Sequence, residues 1–136
     1  MTELGRAGDR RGTVAVEFAL VSTLLLFLLF IIIDLGLALH VRLVLGAAAR
    51  EGARQAAVDG GASARAMQRV LDYLYMAGIG PEDAEISFMP AAASYGTPVT
   101  VTVSYHYRFT VPLVQAVLGP LVHLQGTAVT RSERLR

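Results

Sequence analysis

The sequence predicts an α+β protein in which one long N-terminal helix continues into a small domain holding a short helix and a three-stranded antiparallel sheet. Two observations carry this. An apolar run near the N-terminus is followed, without any proline before Pro81, by a stretch rich in good helix formers. Far downstream the apolar residues change from helical to strict two-residue spacing, the mark of a strand with one buried and one wet face.

At 136 residues the chain holds one compact domain and is too short for a multidomain enzyme. It is 54% hydrophobic and 17% charged, which excludes a disordered chain. Twelve basic side chains, all arginine, nearly balance eleven acidic ones, so no broad positive field exists for nucleic acid. The absence of cysteine excludes disulfides and thiolate metal sites.

Phe18 to Ile33 (FALVSTLLLFLLFIII) is uncharged and covers about 24 Å as a helix. Extending back to Thr13 gives about 31 Å, enough for a hydrocarbon core of roughly 30 Å, and includes Glu17. Extending forward to Leu39 includes Asp34 instead. A chain this small has no interior to surround such a helix, so a membrane span over residues 13–39 is expected. Arg6, Arg10 and Arg11 precede the span while Arg42 and Arg50 follow it, a modest bias toward a cytoplasmic N-terminus with the remainder outside.

Leu35 to Val58 continues the helix, with Gly36, Gly46 and Gly52 each tolerated at about 1 kcal/mol relative to alanine. Ala47, Ala48, Ala49, Ala53, Ala56 and Ala57 give this half, residues 40–59, a face suited to close packing, and Asp59-Gly60-Gly61 supplies the stop. Residues 60–136 form the small domain. Residues 62–77 read as an amphipathic helix on Met67, Val70, Leu71 and Leu74, with Ser63 as N-cap and Gly78, Gly80 and Pro81 ending it. Glu85–Met89 is a short strand. Val99 to Val111 alternates as a long strand, a short apolar stretch covers Leu113–Leu118, and a last strand runs from Leu121 to Arg131. A meander of about 75 residues makes a marginal core, so the projecting half of the helix is its natural cover. A spine helix packed on a small sheet is the general plan of a pilin.

The junction before the span reads Arg10-Arg11-Gly12, then TVAVEF, then the apolar run. A basic leader over residues 1–12, a glycine, and a glutamate five residues later resembles a type IV prepilin cleavage site, where the peptidase cuts after the glycine on the cytoplasmic side. An ordinary signal-anchor with a chance glycine reads the same stretch differently, and Ala47-Ala48-Ala49 poses as a signal-peptidase site, fourteen residues past the apolar run. Glu17 adds a physical argument. A carboxylate within an apolar span costs roughly 2–4 kcal/mol unless paired. Cleavage would create a partner, the new ammonium on Thr13, in the same chain or a neighbouring one.

On RRGTVAVEFALV, IIIDLG and AAAREGARQAA, with a β-rich tail closing near Arg131-Ser132-Glu133, the chain resembles the TadE-like family of tight-adherence (Tad/Flp) pilus proteins. The resemblance implies a pseudopilin cleaved between Gly12 and Thr13, with Glu17 as the position-five glutamate that pairs with the N-terminal amine during subunit assembly. It implies the lipid bilayer, a prepilin peptidase, other pseudopilins or the major pilin, and the Tad assembly machinery as partners. The location is then the bacterial cytoplasmic membrane or the pilus. Thr13 departs from the phenylalanine usual in type IV major pilins, which argues against N-methylation. A length above that of the very short Flp major pilins favours an accessory role. The alternative is a non-polymerising single-pass protein that presents its domain for binding.

No enzyme activity, cofactor or metal is expected. His40, His106 and His123 fall on three different elements, no two at ligand spacing. Glu82, Asp83 and Glu85 read as a solvated turn after Pro81, and no phosphate loop, nucleophile elbow or carboxylate pair is found. Glu51 and Arg54 are placed for an i, i+3 pair. Tyr105, Tyr107 and Phe109, at strand spacing, read as core.

Overall fold

The computed structural model describes residues 4–134, with side chains from Gly12 onward. One helix, α1, runs unbroken from Leu4–Asp59, through Gly12, Gly36 and Gly46. Helix α2 follows over Ala64–Met76, then a 3-10 turn at Pro81–Asp83, strand β1 at Ala84–Met89 and strand β2 at Pro98–Arg108. Helix α3 spans Pro112–Leu118 and strand β3 spans Leu121–Arg131. The sheet order is β1-β2-β3, antiparallel throughout, as the meander predicts.

From Val14 to Phe30 the apolar side chains of α1 stand clear of the domain. Every large apolar side chain from Val14 to Phe30 is at least 46% exposed, and the helix is long and apolar enough to cross a membrane, with a mean hydropathy of 2.8 over an 18-residue stretch. The second half is the cover that the sheet requires. Leu45, Ala48, Ala49, Ala53 and Ala56 of α1 join Ala66, Val70 and Leu74 of α2 and Val99, Val101 and Val103 of β2 in one buried cluster. Burying each valine or leucine contributes roughly 1.5–3 kcal/mol, so this three-layer contact holds the domain on its helix.

The small side chains on α1 set how close the layers come. A methyl group at Gly126, in the middle of β3, would land on the backbone of Leu45 and Gly46. A methyl group at Gly52 would strike Val70 of α2. These two glycines let the helix backbone lie against the strand and against α2.

Ser63 caps α2 as expected, its hydroxyl accepting from the Ala66 N–H at 2.9 Å. The same hydroxyl donates to Asp59. That bond, aided by Gln55, Arg65 and Arg134, holds the Asp59 carboxyl below its ordinary range against a partial desolvation. The chain end is tied back to the spine as well. The Glu133 N–H donates to the Ala57 carbonyl at 2.8 Å, and Arg134 donates to the Asp59 carbonyl at 2.8 Å.

Three expectations need correction. The strand expected to reach Val111 ends at Arg108, because Thr110 and Val111 turn their N–H groups to a side chain of α1 and Pro112 then starts a helix. The apolar stretch after Pro112 is that helix, α3. Glu85 lies in β1 opposite Ser104, as the strand expected over Glu85–Met89 has it, and not in the turn that holds Glu82 and Asp83. On α2 the fully buried stripe is Ala66, Val70 and Leu74, with Met67 and Leu71 half-buried at its border.

Candidate functional site

Gly12, Thr13 and Glu17 lie on consecutive turns of α1, ahead of the bare apolar face. Gly12 is exposed and has open space around its Cα. Thr13 and Glu17 are four residues apart and therefore share one side of the helix. Glu17 is exposed, and among the described residues no side chain forms an ion pair or hydrogen bond with it. Arg10 and Arg11, the basic part of the motif, lie outside the residues whose side chains are described.

At the other end of the bare segment the helix meets the domain through Asp34. This carboxylate is only 2% exposed. One oxygen accepts from the Tyr107 hydroxyl at 3.2 Å. The other accepts from the backbone N–H groups of Thr110 at 2.9 Å and Val111 at 3.0 Å. Tyr107 stacks edge-on against Phe109, with ring centres 5.4 Å apart. Phe109, Ala38 and Val114 form a second small core against which Ile31 and Val122 pack. Burial first, and then its bond to Asp34, raise the Tyr107 hydroxyl above its ordinary pKa.

Asp34 therefore fixes where the free helix stops and the domain begins. From Gly12 to Ile33 the segment, exposed except at Ser22 and Ile31, is about 33 Å long, close to a bilayer's hydrocarbon core of roughly 30 Å. A carboxylate satisfied by three donors is tolerated at the end of such a segment, whereas a bare one is costly. The residues were legible in sequence, but this role was not. An acid closing an uninterrupted apolar run was the available signal.

Beyond the junction, Glu51 and Arg54 form the expected surface pair at 3.2 Å. His106 and His123, on different strands, stand directly opposite each other on the outer face of the sheet, their ring centres 5.1 Å apart. Linear spacing could not show that pairing, because the antiparallel register creates it. Among the described residues no group of three or more histidines and carboxylates is placed to hold a metal ion.

The stretch that carries the prepilin-like pattern, the bare segment and the Asp34 junction is also the stretch that matches a family model. Residues 12–54 match the family model described as TadE-like protein. The match opens at Gly12, includes Thr13, Glu17 and Asp34, and closes on the buried alanine face, leaving α2 and the sheet outside it. It covers about a third of the chain. Searches of curated proteins and of solved structures found no match. The TadE-like part is thus the spine: a free apolar half and a small-residue half on which the domain is mounted.

Proposed function

We propose that this chain is a minor-pilin- or pseudopilin-like structural component needed to assemble a Tad/Flp-type pilus, cut by a prepilin peptidase between Gly12 and Thr13. Its role is mechanical, not catalytic. Residues 1–12 form the cytoplasmic leader, α1 crosses the inner membrane, and the α+β domain stands on the far side. The bilayer, the peptidase, fellow pseudopilins or the major pilin, and the Tad assembly machinery are its partners.

The observation that carries this reading is the TadE-like match, which begins at Gly12 and follows the spine to residue 54. The free half of α1 supports it, because a helix with bare apolar sides suits both a bilayer and the packing of neighbouring spines. Glu17 supports it as well. It is a carboxylate on an apolar helix, one turn from the residue that would carry the new ammonium. In an assembly that ammonium neutralises it from the same chain or from the next.

Glu17→Ala tests this. The variant inserts in the membrane at the level of the natural chain, since removing a charge favours insertion, but it fails to enter the pilus or to support piliation. A Glu17→Ala strain with normal pili would overturn the assembly role and favour a non-polymerising single-pass protein.

A further inference from the structure

The lower edge of the domain, on helix α3, presents apolar side chains that the fold leaves uncovered. Val114 faces inward to Ala38 and Phe109, but Leu113, Val117 and Leu118 are 49%, 76% and 52% exposed. Leu121, at the start of β3, adds a fourth exposed side chain. No charged residue lies between Arg108 and His123.

Position along the spine gives this face its meaning. The Val111 N–H, immediately ahead of α3, donates to Asp34, the first residue after the apolar run. Val114 shares its core with Ala38, and Ile31 packs on that core. Helix α3 therefore lies beside the end of the apolar segment, level with the point where a bilayer spanned from Gly12 gives way to water. The next rungs of the sheet change character. Arg108 pairs with Leu121 and His106 with His123, and Arg108 and both histidines are exposed. An apolar edge backed by an arginine and polar imidazoles is the arrangement of an interfacial membrane element, with aliphatic groups among the acyl chains and the guanidinium at the phosphates. The tether supplied by α1 keeps α3 at the surface, so a short element suffices.

We infer that α3 and Leu121 dock into the outer boundary of the bilayer that α1 crosses, so that the domain sits on the membrane instead of standing off it. This rests on α1 being a membrane span. The interface lipids are its occupant, and Arg108 contacts their phosphate groups.

The absence of cysteine allows clean single-site labelling. Full-length protein carrying V117C, L25C or T127C, each at an exposed position, is spin-labelled and reconstituted in vesicles of phosphatidylcholine and phosphatidylglycerol. Collision with dioxygen, which concentrates in lipid, is compared with collision with a water-soluble nickel chelate. The expected result is that labels at 25 and 117 favour dioxygen while the label at 127 favours the chelate several-fold. If 117 behaves like 127 while 25 stays lipid-facing, the docking is overturned and the span stands. If 117 is shielded from both reagents, a second copy of the chain covers this face and the lipid assignment is wrong. If 25 meets the chelate freely, the span itself fails and the docking with it.

Discussion

Asp34 and Thr110, 76 residues apart in the chain, meet at 2.9 Å, the carboxylate of the spine accepting the backbone N–H of the loop that ends β2. With Val111 and Tyr107 as further donors, this one side chain stops a strand, starts a helix and marks the end of the free segment. The helix and the sheet are thereby set in register by a polar contact at one end and by an alanine face along the rest.

Removing the carboxylate leaves two backbone N–H groups facing a void. Asp34→Ala is expected to destabilise the domain by about 2–4 kcal/mol, most of it from those orphaned donors. Asp34→Asn, which keeps an acceptor and the shape, costs less. Amide hydrogen exchange in detergent micelles reads this locally, with Thr110 and Val111 losing protection in Asp34→Ala while Val101 and Val103 keep theirs.

Tyr107 gives the junction a dependence on alkaline pH. Its hydroxyl titrates above its ordinary value of 10.0, because burial and the Asp34 carboxylate both oppose a phenolate. The unfolded chain therefore loses this proton before the folded one does. The contribution to stability is full below pH 10 and is lost as pH rises through the folded value. Tyr107→Phe is expected to cost about 1 kcal/mol near neutrality and to abolish this part of the alkaline loss. Thermal unfolding followed by circular dichroism from pH 8 to 11 would show the two curves converging.

Gly126 is expected to be intolerant of any side chain. A single methyl group meets the backbone of Leu45 and Gly46, which cannot rotate away, so Gly126→Ala must lift β3 from the spine. A loss of about 1–3 kcal/mol is predicted from such overpacking, measured by denaturant unfolding. Gly78→Ala, where there is open space but a φ of +75°, separates backbone strain from steric contact.

The spine and the sheet were legible in the sequence because each rests on a periodicity that local chemistry imposes. The apolar run, the alanine-rich continuation and the alternation from Val99 to Tyr107 all survive into the structure, and the last strand runs from Leu121 to Arg131 as expected. What was not legible depends on partners distant in the chain. Nothing local distinguishes Phe109-Thr110-Val111 from more strand; the acceptor that bends it away is Asp34. The pairing of His106 with His123 and the need for glycine at 126 likewise arise only once β3 lies beside β2 and under α1. In the candidate site, Gly12, Thr13 and Glu17 are named as candidates from their order alone, since a prepilin-like pattern is read along the chain. The role of Asp34 could not, since it depends on the fold.

The reading of the chain as a processed spine subunit is tested most directly at its N-terminus. Intact mass and N-terminal sequence of the protein from the membranes of its native host are expected to give a chain that starts at Thr13 and remains membrane-bound. A membrane-bound chain starting at Met1 would contradict the account and leave a signal-anchored binding domain. A soluble chain starting near Arg50 would show the apolar half of α1 to be an export signal only.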